Sequence, residues 1–140
     1  MISDEIKITY IGGPTALLEV AGIKFLTDPT FDPALSNYKT KVYVLHKLEG
    51  PKLSSNDLGK VDFVLLSHDH HFDNLDREGR NFLSKFDKVF TTTDGAKRLN
   101  NNAVIVPLHF EGREHFREPG SVIKNKFEEA GLIHRLRWAK

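Results

Sequence analysis

The feature that most constrains this chain is the apolar run Val61 to Leu66 with the polar stretch that follows it, Ser67-His68-Asp69-His70-His71-Phe72-Asp73-Asn74-Leu75-Asp76. A short apolar run bounded by polar residues reads as a buried strand, so the polar stretch must emerge where that strand leaves its sheet. Three of the seven histidines fall in this stretch, interleaved with carboxylates. Imidazole nitrogens and carboxylate oxygens are the usual ligands of zinc and similar divalent metals. A histidine-rich loop can simply be solvated, but a cluster delivered by a buried strand is held rigidly. It reads as half of a metal site.

The flanking patterns place that strand in a mixed sheet. Glu5 to Ile11 alternates polar and apolar residues, with Ile6, Ile8 and Tyr10 on one face, as a half-buried strand does. Thr15 to Val20 and Ile23 to Thr27 flank Ala21-Gly22, which predicts a tight hairpin. The second of these runs into Asp28-Pro29-Thr30-Phe31-Asp32-Pro33, a rigid turn. Lys41 to Leu48 is a further β-rich run, and Ser54 to Asp57 has the composition of a helix start. Beyond the histidines, Asp73 or Asn74 can cap a helix reaching about Lys85. Lys88 to Thr92 and Ala103 to Leu108 read as strands, Asp94 to Leu99 and Ser121 to Ala130 as helices. In the latter, Val122, Ile123 and Phe127 are expected inward. Hairpins first and alternating strands and helices afterwards indicate an α/β layer arrangement.

At 140 residues the chain fits one domain. The net charge of +1 gives no field to attract nucleic acid or an anionic membrane, and the basic tail with Trp138 does not change that. There is no cysteine, which excludes disulfides and thiolate ligands. The acidic start Met1-Ile2-Ser3-Asp4-Glu5 is unlike a signal peptide, and a cytoplasmic location is expected.

The order of Phe25-Leu26-Thr27-Asp28-Pro29, the strand-delivered histidines and the helix start at Asp73-Asn74-Leu75-Asp76 resembles the metallo-β-lactamase superfamily of metal-dependent hydrolases. The likeness is closest to its lactonase-like and phospholipase-like branches. It implies an αββα sandwich of two similar halves. Residues 1–110 correspond to the N-terminal half, and 111–140 to a divergent tail with one helix. The fold is therefore expected to be truncated to its first half.

The family signature, His-x-His-x-Asp-His, fits in two registers. Anchored on the helix start, the histidine positions fall on Asp69 and His71, and the closing histidine becomes Asn74. The alternative takes His68 and His70 as the pair and needs one extra residue before Asp73. The first is preferred, since a helix start tolerates a shift less readily than a strand end. By this resemblance the candidate metal ligands are His68, Asp69, His70, His71, Asp73 and Asn74, with Asp73 also the candidate catalytic carboxylate and Asp28 a support behind the loop. Asp32 and Asp76 are read as turn and helix-start residues, and His46, His109, His115 and His134 as outside the site. Oxygen donors in place of imidazole move preference from zinc toward manganese, iron or magnesium.

The implied function is hydrolysis of an ester, lactone, amide or phosphoester by a metal-activated water, with a small-molecule substrate and one divalent metal, zinc, manganese or iron. The competing expectation is a non-catalytic metal-binding or assembly half-domain. One sheet face would lack its partner, which predicts a homodimer and no nucleic-acid or membrane partner.

Overall fold

A computed structural model describes residues 5–86, 89–99 and 120–137. The strands are β1 (Ile6–Gly12), β2 (Thr15–Val20), β3 (Ile23–Thr27), β4 (Asn37–Lys39), β5 (Val44–His46), β6 (Phe63–Leu65) and β7 (Val89–Phe90). The helices are α1 (Arg77–Leu83), α2 (Thr93–Leu99) and α3 (Gly120–Glu129), followed by a short 3-10 turn at Ile133–Arg135. None of the helices among the described residues is long and apolar enough to cross a membrane.

Five strands form the main sheet in the order β1-β2-β3-β6-β7. β1, β2 and β3 are antiparallel neighbours. Ala21 and Gly22 turn β2 into β3 with φ of 49° and 81°, the left-handed pair that a two-residue hairpin of matching twist requires. β3, β6 and β7 are mutually parallel, with Leu26 opposite Val64 and Val64 opposite Val89. Three strands therefore end at the same edge, where open parallel sheets place their ligands.

One face of the sheet is the core. Ile11, Leu17, Leu26, Val64 and Val89 are buried there against Leu75, Phe82, Leu83, Ala96 and Phe127. The opposite face carries Ile6, Ile8, Leu18, Ile23, Phe25 and Phe63, and it is only partly covered.

Local competition reshapes several expected elements. Within 41–48 only Val44–His46 is strand, pairing with Asn37–Lys39 in a separate two-stranded sheet. The preceding residues instead form a turn, because Thr40 Oγ1 accepts from the amides of Val42 and Tyr43. Ser54 to Asp57 is a turn rather than a helix, since the Asp57 carboxylate accepts from both Ser54 N and Ser54 Oγ. The helix after the histidines begins at Arg77, capped by Asp76, and ends at Leu83. Asp73 and Asn74 stand in the turn before it. In α3, Phe127 is buried and Ile123 packs on the core, while Val122 faces outward. The expected strand at 103–108, together with His109, His115 and Trp138, lies outside the described residues.

Candidate metal centre

The site is built on the ends of β3 and β6. As β3 ends, Asp28 adopts a left-handed φ of 28° and its amide donates to the carbonyl of Leu65 on β6. That bond brings its carboxylate across the parallel pair. Asp28 Oδ1 accepts from Ser67 N at 2.6 Å, and Oδ2 accepts from the Asn74 side-chain amide at 3.4 Å. A non-glycine residue with positive φ is strained, and such strain persists where surrounding bonds hold it. Here the backbone bond to β6 and the two loop donors do so.

Above this support, His68, His70 and His71 converge. One nitrogen from each lies within 4.8 Å of the others. The ring centroids are 4.4 to 5.3 Å apart. Nitrogens sharing one tetrahedral zinc at the usual bond length of about 2.0–2.1 Å stand about 3.4 Å apart. The donor chemistry of the three residues fits a metal, and the rings would draw closer together around one ion. His68 is the half-buried member, and His70 and His71 are exposed. Ser67 Oγ lies 2.9 Å from His68 Nδ1 and accepts from the Asn74 amide at 3.1 Å. With Nδ1 occupied in this way, Nε2 of His68 is the nitrogen left for a metal.

Three of the residues read as ligands have other positions. The side chain of Asp69 is turned away from the histidines and fully buried, 2% exposed. Both its oxygens accept from Arg98 of α2, at 2.5 to 3.0 Å, and its backbone carbonyl accepts from Arg80 of α1. The Arg98 guanidinium holds the Asp69 carboxyl below the usual carboxylate range, and the carboxylate in turn raises Arg98. Asp69 is thus an anchor that ties the histidine loop to two helices. Asn74 supports Ser67 and Asp28. Asp73 is exposed at the rim, its Oδ1 4.0 Å from His71 Nδ1.

In this structure Asp69, which the preferred register put at a metal position, pairs with Arg98 instead. His68 and His70 converge with His71, while Asp69 is committed elsewhere. Ser67, Arg80 and Arg98 were missed as contributors. The two arginines lie 11 and 29 residues from Asp69, and no local pattern links them to it.

Two further carboxylates are structural. Asp76 is buried and accepts from the amides of Phe31, Asp32 and Gly79 and from Lys47 Nζ at 2.9 Å. Asp32 is buried and accepts from Tyr38 Oη and from Glu78 N. His46 Nδ1 lies 2.5 Å from Asn37 Oδ1, and His134 is exposed in the 3-10 turn. Neither belongs to the cluster.

No protein-family model matches the chain. It is 34% identical over 70 residues to N-acyl-phosphatidylethanolamine-hydrolyzing phospholipase D 1 of Caenorhabditis elegans, a match spanning 50% of this chain and 19% of that protein. An uncharacterized protein of Mycobacterium tuberculosis is 35% identical over 74 residues, again over 19% of its own length. Among solved structures, an isothiocyanate hydrolase from Delia radicum gut bacteria matches with a TM-score of 0.60 at 24% identity, covering 77% of this chain and 44% of that one. A possible metal-dependent hydrolase from Veillonella parvula matches with a TM-score of 0.62 at 21% identity, covering 79% and 46%. The chain therefore spans less than half the length of these proteins. Over that span its fold is metallo-β-lactamase-like, as in these solved structures.

Proposed function

We propose that this chain carries the metal-holding part of a metal-dependent hydrolase, with His68, His70 and His71 as the ligands. The observation that carries the reading is the convergence of the three imidazoles at the shared edge of β3 and β6. Three neutral nitrogen donors suit zinc better than magnesium or calcium, so zinc is favoured over the harder metals. A bound metal of this kind would supply a Lewis acid and lower the proton affinity of water, which serves cleavage of an ester, lactone, amide or phosphoester.

The chain's own groups have separable tasks. Asp28 fixes the loop through Ser67 N and Asn74. Ser67 sets the ring nitrogen that His68 presents. Asp73, the exposed carboxylate 4.0 Å from His71 Nδ1, would take a proton from water at its Oδ oxygens. Asp69 and Arg98 hold the loop from beneath.

Zinc titration by calorimetry tests the reading. One zinc per chain is expected. Alanine at His68, His70 or His71 should weaken binding by at least about tenfold, while His134→Ala leaves it unchanged. Equal effects of all four substitutions would remove the site from this loop. A second reading, a metal-binding module without catalysis, is favoured by the exposure of His70 and His71, since catalytic electrostatics are strongest where bulk water is excluded. Zinc uptake without any zinc-dependent hydrolysis of 4-nitrophenyl acetate would select it.

A further inference from the structure

A cavity of about 370 Å³ lies between the β1–β2 turn, the β4–β5 hairpin with the segment after it, and the end of the histidine loop. Its walls include Tyr10, Tyr38, Leu45, Leu48, Phe72 and Asp73. Asp73 belongs to both places, since it lines the cavity and its carboxylate is 4.0 Å from His71 Nδ1. The cavity and the cluster therefore meet at one side chain.

Its chemistry is that of a slot for an uncharged apolar group. Tyr38 and Phe72 stack with their ring centroids 4.7 Å apart and their planes 15° from parallel, and Phe72 is the more exposed of the two. The Tyr38 hydroxyl donates to Asp32, and burial first, then that bond, holds the phenol protonated well above its ordinary range. Tyr38 is 2% exposed, so it backs the cavity wall and offers no free polar atom. The cations at the wall are already engaged. Lys47 Nζ pairs with Asp76 and donates to Thr30 O, and Lys52 Nζ sits 5.0 Å over the Tyr10 ring. Ligand pockets generally run from roughly 300 to 1,000 Å³, and about 150 Å³ suffices for a benzene ring. This cavity suits an aryl group or a short alkyl chain.

Resting on the hydrolase reading above, we propose that this cavity binds the neutral aryl or short-alkyl portion of the substrate, with the scissile bond directed past Asp73 to the histidines. The substrate class is a small carbonyl or phosphoryl compound bearing such a group, rather than one charged along its length.

The test uses the full chain and 2-naphthol as probe, followed by amide chemical shifts, with 2-naphthalenesulfonate as the charged comparator. Saturable binding of 2-naphthol with shifts at Tyr10, Leu45, Leu48 and Phe72 is expected, and binding of the sulfonate at least tenfold weaker. Leu45→Trp, which fills the cavity, should weaken 2-naphthol at least tenfold. Leu48→Asp, at an exposed rim position, should do the same without risk to folding. Both variants should keep the zinc affinity of the parent. Shifts confined to the outer sheet face at Ile6 and Ile8, equal binding of both probes, or indifference to both variants would overturn the proposal. Loss of zinc binding in His70→Ala with 2-naphthol binding retained is the expected independence. Failure of the parent to bind zinc while 2-naphthol still binds at the cavity would instead sink the hydrolase reading.

Discussion

Asp69 stands between two histidines of the cluster and is pulled in the opposite direction. It is buried, and the Arg98 guanidinium, with a side chain 48% exposed, covers it from the solvent side. The two partners are unequal. Removing Arg98 leaves a carboxylate unpaired in the interior, while neutralising Asp69 leaves a cation that water can reach. Arg98→Ala should therefore cost about 2–3 kcal/mol in urea denaturation, and Asp69→Asn about 1 kcal/mol. Equal or reversed costs would show that the pair does not anchor the loop. Both changes should also weaken zinc binding, since the loop bearing the ligands loses its tie to α2. The cluster itself was legible in the sequence because its members are contiguous and follow an apolar run. The commitment of Asp69 was not, because Arg98 is 29 residues away on another element. The anchor of the preferred register was not legible for a related reason. That register relied on a helix start at Asp73, whereas the helix begins only after Asp76, leaving 73–75 in a turn that fixes no register.

At the scale of elements, α1 is placed by two contacts that its sequence shows only in part. Asp76 was read as a helix-start residue, and it caps the helix through Gly79 N. It also binds the amides of Phe31 and Asp32, so one carboxylate joins the helix to the turn after β3. Gly79 allows the close approach. A Cβ there would overlap the Pro29 carbonyl oxygen. In an exposed helix interior, replacing glycine by alanine stabilises by roughly 1 kcal/mol. Here the overlap wins, and Gly79→Ala should destabilise by about 1–3 kcal/mol, the usual cost of overpacking. A raised midpoint in thermal unfolding would mean that α1 does not press on the Asp28–Pro29 turn. Strands and hairpins were largely legible, since alternation and the Ala21-Gly22 turn are local signals. Their lengths were not, because side chains such as Thr40 and Asp57 bind nearby amides and end the regular structure early.

At the scale of the whole molecule, the two faces of the main sheet differ. One is sealed by the helices. The other presents Ile6 and Ile8, 64% and 66% exposed, beside Tyr10 and Ile23, with Phe25 stacked on Phe63 and Phe90 tilted against it across three strands. Contiguous apolar patches beyond a few hundred Å² are rarely left in water by a soluble monomer. This is the face that the half-sandwich expectation left without a partner. For the 140-residue chain, the expected outcome is self-association through it, most simply as a twofold pair of sheets packed face to face. Sedimentation should show a mass that rises with concentration, and the dilute chain should bind 8-anilinonaphthalene sulfonate. Ile8→Lys places a charge in the middle of the patch at a position open enough to accept it without unfolding. It should shift the protein toward monomer and leave zinc binding intact, because the histidines lie at the strand ends rather than on that face. A parent chain that stays monomeric at every concentration and binds no dye would show that the face is covered by other residues of the same chain. Pairing of two copies would then be excluded, and the fold would be closed within a single molecule.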